Sequence, residues 1–83
     1  MNIEVKFTDI FDIGHTAFNE NGKVAILCDV QVANIVKILL RNILSIKGYT
    51  IVSVDDFVWE NGAIDVQFTT DMDWKEYEEL EYE

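Results

Sequence analysis

The sequence predicts an α+β domain: an antiparallel sheet of about four strands in two hairpins, one long helix packed on it, and a short acidic C-terminal helix. Three observations lead there. Two Glu-Asn-Gly triplets, Glu20-Asn21-Gly22 and Glu60-Asn61-Gly62, each stand between strand-like apolar runs. The stretch Val30 to Lys47 repeats its polar residues at helical spacing. The chain has only 83 residues, of which 49% are hydrophobic. That is enough for one thin core, so residues 1–83 are read as a single domain with an acidic C-terminal segment, 71–83.

The elements follow in order. Ile3, Val5 and Phe7 alternate with Glu4, Lys6 and Thr8, the period-2 pattern of a half-buried strand. Asp9 to Thr16 is irregular. Ala17–Phe18 and Lys23–Asp29 flank the first triplet. A three-residue loop with Gly22 in the left-handed region is expected there, setting Phe18 beside Val24, with Val24, Ile26 and Cys28 on one face. Asp29 is the expected N-cap of a helix from Val30 to Lys47, and Gly48 follows as its C′ residue. Asn34, Lys37, Arg41 and Ser45 form one narrow polar stripe on it. The apolar arc left over is wider than one sheet face requires, which predicts a second covering surface: the C-terminal segment or another copy of the chain.

Thr50–Val54 is β-branched and strand-like, and Asp55-Asp56 interrupts the alternation, as a bulge or bend does. Phe57–Glu60, Asn61-Gly62 and Ala63–Thr69 read as a second hairpin whose register stays open: a two-residue turn sets Trp59 opposite Ile64, a three-residue loop sets Val58 there. Asp73 and Glu76 have the spacing of a capping box, and Trp74, Tyr77 and Leu80 form the apolar stripe of a short terminal helix. The two β-β-α stretches, forty positions apart, resemble a duplication, but Asn-Gly is what hairpins use in any case.

The charge is one-sided. The formal net charge is −10, and residues 1–50 hold five acids against five bases. Residues 51–83 hold eleven acids against Lys75 alone. An acidic chain has no basic face for nucleic acid or for an anionic membrane, so direct contact with either is not expected. Lys37 and Arg41 break the most apolar segment, against a bilayer span. The start, Met-Asn-Ile-Glu-Val, lacks the pattern of a secretion signal, and one cysteine fits a reducing compartment. The expected location is the cytoplasm, the host's if the protein is viral.

Chemistry is sparse. Cys28 and His15 form a nucleophilic pair only if the first hairpin joins them, and a cysteine at an apolar strand position usually serves as a small hydrophobe. Asp71-x-Asp73 opens like a calcium loop, but Lys75, Glu76 and Tyr82 stand where a ligand, a glycine and a bidentate glutamate belong. Asp55, Asp56 and Asp65 are more simply turn-forming acids than an acid–base site. No catalytic residue, metal or cofactor is expected. The acids are expected to act instead as a surface resembling nucleic acid, since duplex DNA carries one charge per about 1.7 Å and a helix rises about 1.5 Å per residue. Glu76, Glu79 and Glu83, with Asp55, Asp56 and Asp65 on the adjacent sheet, would form the row; Asp71, Asp73, Glu78 and Glu81 are expected to bind the partner beside them, with Trp59, Tyr77 and Tyr82 as aromatic anchors. The expected partner is a basic nucleic-acid-binding protein: a nuclease, a restriction or CRISPR effector, or a transcription factor. The alternative is a homodimeric structural or regulatory module joined through the 30–47 helix.

Overall fold

The computed structural model describes residues 15–80, with side chains from 16 to 79. The strand expected around Ile3, Val5 and Phe7, and residues Glu81, Tyr82 and Glu83, lie outside the described residues. The elements are β1 (His15–Glu20), β2 (Lys23–Asp29), α1 (Ala33–Lys47), β3 (Ile51–Val58), β4 (Ile64–Asp73) and α2 (Trp74–Leu80). The strands form one antiparallel sheet in the order β1-β2-β4-β3. The α+β class expected from the sequence is the one the chain adopts.

The first hairpin corrects the expected loop. Glu20 pairs with Lys23, so the turn has two residues, Asn21 and Gly22, both at positive φ (52° and 86°). Phe18 consequently stands opposite Ala25, not beside Val24. Such a turn matches the right-handed twist of the flanking strands, which a three-residue loop would have to recover with a bulge. β1 also takes in His15 and Thr16, inside the stretch read as irregular.

Val24, Ile26 and Cys28 share one face, as their alternation requires, and are buried with Val66 and Phe68 of β4. Over them α1 lays Val36, Leu40, Ile43 and Leu44. Each such side chain stabilises the fold by roughly 1.5–3 kcal/mol through burial. The Asp29 carboxylate accepts the Gln31 N–H at 2.8 Å, but the turn it caps, Val30–Val32, is a 3₁₀ turn leading into α1. At the other end the Tyr49 N–H donates to the Leu44 carbonyl at 2.8 Å across Gly48, a Schellman closure.

Asp55-Asp56 does not interrupt β3. The strand runs through both, and its irregularity lies between Ile51 and Ser53. At a solvent-facing edge an aspartate costs little, so the pairing with β4 prevails over local preference. The second hairpin takes the three-residue loop: Val58 faces Ile64, the Trp59 N–H donates to the Ala63 carbonyl at 2.8 Å, and Gly62 has φ 87°. β4 continues past Thr69 through an irregular step, where the Thr70 hydroxyl donates to the Val24 carbonyl at 2.8 Å and satisfies it. The Trp74 N–H then donates to the Gly22 carbonyl at 2.9 Å, which ties α2 to the first hairpin.

The wide apolar arc of α1 is not covered by the C-terminal helix. Ile35, Ile38 and Ile46 are exposed, Ile38 by 62%. No helix among the described residues is long and apolar enough to cross a membrane.

Candidate functional site

Among the described residues the acids do not form the expected continuous row. Asp55 and Asp56 are neighbours on β3 and point to opposite faces: Asp56 opposes core residue Val66, and Asp55 opposes Gln67 on the other side. Asp65 lies on the Asp55 face and accepts the Trp59 indole N–H at 2.7 Å. Glu60 sits at the hairpin tip and is exposed. Asp55, Asp65 and Glu60 form one distal patch, and Asp56 stands apart on the core side of the sheet.

The second patch is at the other end of β4. Asp71 accepts the Thr50 N–H at 2.7 Å and is reached by the Thr50 hydroxyl at 3.3 Å, so it holds the start of β3. Asp73 caps α2 through the Lys75 N–H at 3.0 Å. Its expected capping-box partner, Glu76, turns to Tyr49 instead. That hydrogen bond, with partial burial and the nearby acids, pushes the Tyr49 phenol above its ordinary pKa. The second Glu76 oxygen is buried without a hydrogen-bond partner among the described residues. Glu78 accepts the Trp74 indole N–H, and Glu79 is exposed. From Asp65 to Asp71 the strand advances six residues, at most about 20 Å. The segment between them is largely buried: Val66, Gln67, Phe68 and Thr70. Two separate patches therefore replace the row.

The aromatic residues divide as well. Trp59 is half exposed beside the distal patch. Tyr77, expected as an anchor for a partner, is only 1% exposed, and its ring packs against Trp74 with centroids 5.0 Å apart. In a short helix at the open end of a core the side chain on the inward face is buried, and Tyr77 is that residue, with Trp74 partly buried beside it.

The β1–β2 register does set His15 opposite Cys28. The thiol, however, is buried, and burial, then Asp65, then Asp29, push its pKa up to about 11. At neutral pH it stays protonated, the reverse of an activated nucleophile. No group of three or more His, Cys, Asp or Glu among the described residues is arranged to hold a metal ion.

A feature the sequence reading passed over is a groove of about 820 Å³ between α1 and β3, floored by Leu44 and walled by Lys37, Arg41 and Ser45 on one side and Ile51–Val54 on the other. The polar stripe of α1 is thus its flank toward β3. Its signal was present in the basic pair four residues apart, but nothing local says which strand that stripe overhangs. Among the described residues Lys37, Arg41, Asp55, Asp56, Glu60 and Glu79 form no ion pairs. The chain matches no protein-family model, no curated protein and no solved structure.

Proposed function

We propose that the protein is a non-enzymatic binding protein that inhibits a nucleic-acid-handling protein by offering carboxylates to its phosphate-binding surface, in the manner of phage anti-restriction or anti-CRISPR inhibitors. The observation that supports this reading is the lack of compensation: Asp55, Glu60 and Glu79 project from the two patches with no ion pair among the described residues. Carboxylates in that state attract a basic surface and release its counterions, the same driving force that DNA supplies. The mimicry then acts at two patches, with half-exposed Trp59 beside the distal one.

The test is capture of proteins from a bacterial lysate on the immobilised chain, with elution by duplex DNA and then by salt. The expected result is a nucleic-acid-binding protein displaced by DNA. Neutralising Asp55, Glu60 and Glu79 (D55N/E60Q/E79Q) is expected to weaken its capture by about tenfold or more. These three make no hydrogen bonds that hold the fold, unlike Asp71, Glu76 and Glu78. Binding indifferent both to DNA and to this variant removes the mimicry reading.

A second reading, a homodimeric interaction module joined through α1, is favoured by one observation: Ile35, Ile38 and Ile46 are exposed on a single flank of α1. It expects a dimer that Ile38→Glu dissociates.

A further inference from the structure

The free edge of β3 has an unusual charge layout. Among the described residues β3 is hydrogen-bonded to β4 alone, and its outer edge, eight residues long, is left without a strand partner. Such an edge is commonly protected by a proline, a charge (lysine above all), a bulge or a covering element, and β3 has an irregularity between Ile51 and Ser53 and the charges Asp55 and Asp56. The strand has no proline or lysine, and Val52, Val54 and Val58 are exposed along it, Val58 by 73%. Its first half, Ile51–Val54, lies under the overhanging Lys37 and Arg41, whereas its second half carries Asp55 and Asp56. Charges of opposite sign thus stand at opposite ends of one edge.

We propose that this edge is a self-association surface, on which a second copy of the chain adds its own β3 antiparallel, with Val54 against Val54 at the two-fold axis. An antiparallel two-fold sets the basic half of each copy against the acidic half of the other. The register follows from the faces. A shift by one residue turns inward positions outward, so only a register centred on a residue keeps both copies of α1 on one side of the joined sheet. Centring on Asp55 would set that carboxylate against its own copy, a like-charge pair. Centring on Val54 sets Asp56 opposite the partner's Val52, at the mouth of the groove where Lys37 and Arg41 have no ion pair among the described residues. Asp56 lies on the α1 side of the sheet, because it opposes core residue Val66. Each copy would contribute one such charge pair, and Val54 would lose its solvent contact against its own image. Asp55 of each copy stays on the outer face, diagonal to its image at about 7–8 Å, where solvent and salt screen the repulsion.

This deepens the second reading given above and moves its interface from α1 to β3. The full chain is followed by analytical ultracentrifugation over rising concentration. The mass is expected to climb from 9.6 kDa toward twice that value. Asp56→Arg and Arg41→Glu alone should each weaken association by about tenfold or more, and the double variant R41E/D56R should recover most of it, because like-charge contacts become attractive again. Ile38→Glu should leave association unchanged. Val54→Cys should give a disulfide-linked dimer under mild oxidation, with Cys28 too buried to compete, and Val58→Cys should not. Circular dichroism confirms that each variant is folded. A chain monomeric at every concentration overturns both this proposal and the α1 dimer. Dissociation by Ile38→Glu, no recovery in the double variant, or cross-linking through Val58→Cys in place of Val54→Cys overturns this proposal alone. None of these outcomes bears on capture of a basic partner, which the lysate experiment measures separately.

Discussion

In the β1–β2 hairpin, Glu20 belongs to the strand and the chain reverses on Asn21 and Gly22, both at positive φ. In the β3–β4 hairpin, the identical triplet Glu60-Asn61-Gly62 lies wholly in the loop, Trp59 bonds to Ala63, and only Gly62 has positive φ. The local bonds differ accordingly. Asn19 accepts the Gly22 N–H at 2.7 Å in the first, and Asn61 accepts the Ala63 N–H at 3.0 Å in the second. The same three residues thus make a hairpin without choosing its type. What chooses is the register the flanking strands need: Val24, Ile26 and Cys28 must meet α1 in one case, and Phe68 must do so in the other. A slip of one residue in either hairpin would expose those faces.

The hairpins also differ in cover. Val54 and Phe68 are directly opposed on one face of the sheet, yet Phe68 is 1% exposed and Val54 49%, because α1 lies over β2 and β4 and leaves β3 open. The largest predicted contrast follows. Phe68→Ala should cost about 3–5 kcal/mol in urea unfolding, and Val54→Ala less than about 1 kcal/mol in the monomer. Comparable losses at the two positions would mean that β3 is covered after all.

Next come the turns. Gly22→Ala and Gly62→Ala should each cost about 1–2 kcal/mol, because both glycines hold φ near +87° with open space around them, so the penalty is backbone strain and not a clash. The asparagines should separate the two turn types. Asn21→Gly should shift stability by only about a few tenths of a kcal/mol, since its φ of 52° suits glycine, whereas Asn61→Gly should cost about 0.5–1 kcal/mol through its lost side-chain bond and added chain freedom. Equal responses at the two sites would show that the two turns are of one kind.

The smallest contrast appears only in alkali. The Cys28 thiol has its pKa raised from 9.0 to about 11 in the folded chain. The unfolded chain therefore loses this proton first, and the stability tied to it is intact below pH 9 and falls as the pH climbs toward 11. Cys28→Ala should flatten that part of the pH profile relative to the parent chain. An identical profile in the two proteins would assign the alkaline loss to other groups, Tyr49 first among them.

Much of the architecture was legible because it rests on short-range chemistry. Asp29 and Gly48 bracket the helical segment, as cap preferences dictate, and β4 shows its alternation in Ile64, Val66 and Phe68. The candidate site was legible only in composition. Asp55 and Asp56 are adjacent letters that the pleat sends to opposite faces. Tyr77 reads like an interface aromatic, and the end of the core claims it. The expected break in β3 at Asp55-Asp56 failed for a related reason: the ladder to β4 outweighs the turn preference of two exposed aspartates.

The sequence by itself determined the class of fold, the position of the long helix and the segregation of charge, since periodicity, caps and counting depend on neighbours along the chain. Tertiary structure decided the turn types, which flank of α1 overhangs β3, and that the acids of β3 and β4 part into two patches. Those outcomes depend on register and on which strands one helix is wide enough to cover. α1 shelters β2 and β4, and the strand beyond them keeps its edge, its valines and its carboxylates in solvent.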